Sequence, residues 1–132
     1  MGYTTTVDGE IDITPPLSWQ EIKTSPFAPN DTTHGDFNVR LRIDETSIDT
    51  EDGTLLRRSA PALVPAWEEA FKAYHLVEHV QAAIDAFPGH VFSGRLECEG
   101  ENAGDLWRVV VRDGRAVKVQ PRIVWPDEPE VG

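Results

Sequence analysis

The stretch GRLECEGENAGDLWRVVVRDGRAVKVQPRIVW, Gly94 to Trp125, alternates apolar and polar side chains with a period of two. That period belongs to strands buried on one face and wet on the other. It predicts three consecutive strands: Val91 to Glu101, Leu106 to Arg112 and Ala116 to Trp125. Asp113-Gly114 separates the last two, and Asp-Gly supplies the positive φ that a two-residue hairpin requires. Phe92, Leu96 and Cys98 are expected inside on the first strand, with Gly94 and Gly100 leaving space. Trp107, Val109 and Val111, then Val117, Val119, Ile123 and Trp125, complete the expected inner face. Arg95, Glu97, Glu99, Glu101, Arg108, Arg112, Lys118, Gln120 and Arg122 form the expected outer one.

Working back from this stretch, the period changes. Leu76, Val80, Ala83, Ile84 and Phe87 share one helical face, and Pro88-Gly89 stops that helix. Pro61 and Pro65 break the run before it, and Ala66 to Lys72 stays open between loop and early helix. Phe37, Val39, Leu41 and Ile43 alternate with polar residues as a strand, and a hairpin is expected around Glu51-Asp52-Gly53. Pro26 to Asp36 reads as loop. A short helix starts at PPLSW, where Ser18 and Glu21 make a capping box and Leu17 and Ile22 a hydrophobic staple. At the N-terminus Tyr3, Thr5, Val7, Ile11 and Ile13 alternate with Thr4, Thr6, Asp8, Glu10 and Asp12, giving a half-buried strand. The order βα, ββ, α, βββ with short links predicts an α+β fold. Its mostly antiparallel sheet has five to six strands, with two helices packed on one face. Residues 1–125 form the expected single domain and 126–132 a flexible acidic tail.

The chain has 132 residues, 12 Lys plus Arg against 23 Asp plus Glu, and a formal net charge of −11. The acidic excess is spread along both halves, so it is a property of the fold and not of one tail. Phosphate neutralisation needs a basic patch, so nucleic acid and anionic membrane are poor direct ligands. One cysteine allows no intramolecular disulfide. No apolar run is long enough to span a bilayer, and the start lacks a signal pattern. MGYTTT matches the loose myristoylation pattern at Gly2 and Thr6, but the same residues open a good strand. A cytoplasmic location follows as the expectation.

Glu97, Glu99 and Glu101 stand opposite expected cations on neighbouring strands, where cross-strand ion pairs contribute about 0.2–1 kcal/mol each. Solvation of an outer strand face explains their spacing. A sharper reading notes that Asp8, Glu10 and Asp12 repeat the pattern on the first strand. Carboxylates two residues apart on a strand are separated by about 6.7 Å, the scale of a nucleic-acid backbone. Two such stripes would suit a basic partner. DGEID is not a calcium loop, because the required sixth and twelfth positions hold Ile13 and Trp19.

His75-Leu76-Val77-Glu78-His79 fits H-x-x-E-H, with His75 and His79 as zinc ligands and Glu78 as general base. On the expected helix, however, Glu78 points away from the apolar stripe and the histidines flank it. His34 and His90 offer no obvious third ligand. Cys98 lies in phase with core residues, and neither a G-x-S-x-G elbow nor a phosphate loop is present. Trp67, beside Glu68 and Glu69, is the candidate exposed aromatic anchor for a partner.

MGYTTTVDGEI, PPLSW, KAYHLVEHV, PGHVFSGRLECEGEN and LWRVVVRDGRAVKVQPRIVWP together resemble a family of small acidic proteins from actinomycetes and their phages. The resemblance spans nearly the whole chain. That family has no assigned function, so it implies a bacterial or phage origin and a cytoplasmic protein, and no site residue.

The resulting expectation is a non-enzymatic interaction or accessory protein without a cofactor, its acidic sheet surface meeting a basic protein partner. A phage-type inhibitor mimicking nucleic acid is its most concrete form. The tentative contact residues are Glu97, Glu99, Glu101, Asp8, Glu10, Asp12 and Trp67. A small metal-dependent hydrolase using His75, Glu78 and His79 is the alternative. A homodimer through the exposed edge of the late strands is compatible with both.

Overall fold

A computed structural model describes residues 2–29 and 37–127; His34 and most of the expected tail lie outside these. The elements run β1 (Thr5–Ser18), α1 (Trp19–Lys23), β2 (Val39–Thr50), β3 (Gly53–Pro65), α2 (Leu76–Ala86), β4 (Val91–Gly100), β5 (Leu106–Arg112) and β6 (Arg115–Val119). The strands form one six-stranded sheet in the order β2-β3-β1-β4-β5-β6, and every neighbouring pair is antiparallel. The fold is α+β, as the alternation predicts.

Local chemistry made the hairpins β2–β3, β4–β5 and β5–β6 readable. The central place of β1 was not, because it rests on two long-range ladders, to β3 and to β4. Val7, Ile11, Ile13 and Leu17 on β1 are buried in one cluster with Leu41, Leu63, Phe92, Leu96, Cys98 and Val109. Such apolar side chains each contribute about 1.5–3 kcal/mol when fully removed from water. Ile22 of α1 and Leu76, Val80 and Ala83 of α2 enter the same cluster, so both helices cover this face. Asn38, itself buried, secures the start of α2: its Oδ1 accepts from His75 N–H at 3.0 Å and its Nδ2 donates to Lys72 O at 3.4 Å.

The run through Pro61 is strand, not loop. Ala62 pairs with both Asp12 and Arg42, whereas the register shifts before the next pairs on either side. Pro61 falls in that irregularity, where its missing N–H removes no ladder bond. Residues 66–70 then leave the sheet, and Phe71 returns to exchange backbone hydrogen bonds with Thr5 at 2.8 and 3.0 Å. No helix starts in this segment.

The last strand corrects the expected inner face. The Asp113-Gly114 turn puts Arg112 opposite Arg115, hence Val111 opposite Ala116, Val110 opposite Val117 and Val109 opposite Lys118. Cross-strand neighbours share a face, so Lys118 stands on the helix side with buried Val109, and its ammonium lies 4.7 Å from the Trp107 ring. Val117 and Val119 face the other way. β6 ends at Val119, and Ile123 and Trp125 are 80% and 68% exposed instead of buried. Pro121 cannot donate to a continuing ladder.

Beyond Ile43 the β2–β3 hairpin runs clear of the core. Residues 44–58 are exposed throughout and form a two-stranded ribbon. Among the described residues, no helix is long and apolar enough to cross a membrane.

Candidate functional site

With both helices on one face, the opposite face of the sheet has no helical cover. Asp8 stands directly opposite Glu97, Thr6 opposite Glu99, Glu10 opposite Arg95 and Asp12 opposite Ser93. The acidic stripes that sequence placed on separate strands are thus cross-strand neighbours, forming one band along the middle of the sheet. Paired Cβ atoms in such ladders lie about 4.5–5.5 Å apart, and directly opposed like charges are destabilising.

Arginines flank the band on both sides. Arg42 of β2 reaches across the small Ala62 of β3 to Glu10, Nη1 to Oε2 at 2.5 Å, and its Nε lies 3.5 Å from Asp44. On the other flank Glu97 takes Arg95 at 3.4 Å and Arg108 at 3.3 Å. Asp8, Asp12 and Glu99 have no ion pair or hydrogen-bonded side-chain partner among the described residues. Lys118, expected to neutralise this face, is on the other side of the sheet.

Glu101 differs in role from its neighbours. It accepts from the Thr4 hydroxyl at 2.6 Å and from the Thr4 N–H at 2.8 Å, and these bonds hold its carboxyl below the usual range. Its carboxylate ties the start of the chain to the end of β4.

Trp67 joins the band from a distant part of the sequence. Its ring packs 5.0 Å from Phe71, it is 39% exposed, and it lines a shallow groove of about 500 Å³ with Asp8, Arg40, Arg42, Val64 and Glu68. Trp67 and Asp8 belong to separate segments of the sequence, and the Phe71–Thr5 bridge brings those segments together. Arg40 and Arg42 carry no signal for this site in the sequence, because nothing local reveals that β2 and β1 sandwich a strand bearing Ala62 on this face.

The HLVEH segment caps and opens α2. His75 is its N-cap, and His75 and Glu78 are well exposed with 3.9 Å between them. His79 Nδ1 accepts the backbone N–H of Asn38 at 2.9 Å, and its ring meets Phe37 edge-on at 4.9 Å. Burial, and then the neighbouring His75, push the His79 imidazole below its ordinary pKa, which suits that acceptor role. No group of three or more His, Cys, Asp and Glu side chains converges into a metal site among the described residues. Cys98 is buried, and desolvation pushes its thiol up to about 12.

No curated protein and no solved structure matches the chain. A family model does match, over residues 1–131, and the chain belongs to that family, described as a family of unknown function (DUF6205).

Proposed function

We propose that this protein is a non-enzymatic, cytoplasmic interaction or accessory protein that docks a basic protein partner on the open face of its sheet. The observation that carries this reading is the pairing of Asp8 with Glu97. A strand ladder that sets two carboxylates opposite each other, with Asp8, Asp12 and Glu99 lacking counter-ions among the described residues, costs stability in the isolated protein that Arg95 and Arg108 on Glu97 offset only in part. A basic partner would offset that cost on docking, and the charges would steer its approach. Trp67, at the rim of the same band, supplies the aromatic anchor. The resemblance to actinophage proteins supports the most specific form, an inhibitor standing in for nucleic acid in a basic groove. The flanking arginines limit that mimicry to the central band.

The test is a pull-down from lysate across a salt series, comparing wild type with an Asp8→Asn, Asp12→Asn, Glu99→Gln triple variant. Glu101 is left intact because it holds Thr4. The expected result is a basic protein retained by wild type, lost by the variant and released by salt. Displacement of that protein by duplex DNA would mark the nucleic-acid-mimicking form. Equal recovery by both proteins at all salt concentrations would refute the proposal.

A further inference from the structure

The ribbon formed by residues 44–58 is the largest feature that the acidic face does not use. Its ladder runs from Asp44–Ser59 through Glu45–Arg58, Thr46–Arg57, Ser47–Leu56, Ile48–Leu55 and Asp49–Thr54 to the turn. Paired residues share a face, so Thr46, Arg57, Ile48 and Leu55 lie on one side, and Glu45, Arg58, Ser47 and Leu56 on the other. The second side looks toward α1, where the Arg58 guanidinium lies 5.0 Å from the Trp19 ring and Nε is 2.8 Å from Glu45. The first side has no ion pair or cation–π contact among the described residues, although Ile48, Leu55 and Arg57 border an open groove with Pro16, Leu17 and Trp19. Leu55 is 60% exposed there with Ile48 beside it at 39%, and Leu56 on the second side is 59% exposed. An isolated two-stranded ribbon is marginally stable in water, and this one projects apolar side chains into it.

We propose that this ribbon is a dimerisation arm whose Thr46-Ile48-Leu55-Arg57 face packs antiparallel on the same face of a second copy of the chain. The charges are self-complementary for that arrangement. The tip carries Glu51 and Asp52, and Arg57 sits toward the base; none of the three has an ion pair among the described residues. A two-fold axis lying between the copies, level with the Ile48–Leu55 pair, relates base to tip. At about 3.4 Å per residue, the tip lies about 10 Å to one side of that axis and the Thr46–Arg57 pair about 7 Å to the other. The axis thus brings Arg57 of each copy within a side chain's reach of the other's Glu51 and Asp52, and it does so twice.

One alternative self-pairing is disfavoured by charge and another is partly obstructed. Edge-to-edge pairing of β2 about Ser47 would oppose Glu45 to Asp49, two like charges. At the opposite edge of the sheet, β6 is partly occupied by α2: Gln81 accepts from Ala116 N–H at 2.8 Å and donates to Gly114 O at 3.2 Å. This inference rests on the arm alone and is independent of the acidic face.

Sedimentation of the full chain over a concentration series tests it, without any partner present. Wild type is expected to show a reversible monomer–dimer equilibrium, and Leu55→Asp to be monomeric. Leu56→Asp, equally exposed but on the opposite side of the ribbon, should still dimerise. Arg57→Glu should weaken the dimer roughly tenfold, since symmetry removes two ion pairs at once. Adding Glu51→Arg and Asp52→Arg to Arg57→Glu should restore it. Circular dichroism confirms folding, and the rescue does not depend on any single variant being stable. A wild type that stays monomeric, a dimer unaffected by Leu55→Asp, or a charge swap without rescue would each overturn the proposal.

Discussion

The imidazole of His90 meets two acceptors at once: Nε2 lies 2.8 Å from Oε2 of Glu21, and Nδ1 lies 2.5 Å from the carbonyl oxygen of Pro15. Glu21 also accepts from the Ser18 N–H at 3.0 Å, closing the capping box of α1. The Ser18 N–H first, and then the His90 contact, hold the Glu21 carboxyl below its ordinary value of 4.5. A carboxyl lowered by folding contributes stability that is fully present above its unfolded value. That contribution is lost as pH falls through the folded one. Denaturant melts between about pH 5 and pH 3 should therefore show wild type losing stability more steeply than Glu21→Gln. Ser18→Ala should cost about 1 kcal/mol at neutral pH through the lost cap.

Asp8→Asn removes the charge opposed to Glu97 without changing the shape of the strand. The isolated protein is expected to gain about 0.2–1 kcal/mol in a urea melt while losing affinity for the proposed basic partner. A loss of stability instead would mean that the band is internally balanced.

The register of β6 separates two valines that sequence treats alike. Val109→Thr buries a hydroxyl in the helix-covered core and should cost about 1–3 kcal/mol. Val117→Thr, on the open face, should stay within about 0.5 kcal/mol. Equal costs in thermal melts would contradict the observed pairing.

Gly94 has φ +125°, and a Cβ there would lie 2.9 Å from the carbonyl oxygen of Glu10 on the neighbouring strand. Gly94→Ala therefore meets both backbone strain and a fixed neighbour. An expected cost of about 1–3 kcal/mol is measurable by denaturant titration.

Cys98 should react with a thiol reagent at neutral pH only after unfolding, because its buried thiol is pushed up to about 12. Rapid labelling of the native protein would show that the core around β4 opens.

What the sequence settled by itself was local. Alternation identified the strands because side chains on a strand must point to opposite faces, and the Ser18–Glu21 spacing identified α1 because orphan N–H groups at a helix start need acceptors. Asp113-Gly114 placed the β5–β6 turn, yet the face of β6 was misread by one residue, and a one-residue slip reverses every side chain. Pro61 looked like a breaker because the irregularity that tolerates it involves partners on β1 and β2. Only the tertiary structure decided that β1 lies between β3 and β4. Strand order is fixed by which apolar faces close one core, and pairings across most of the chain leave no local pattern. That order turned two distant acidic stripes into one band, set Asp8 against Glu97, and brought Trp67 to its edge.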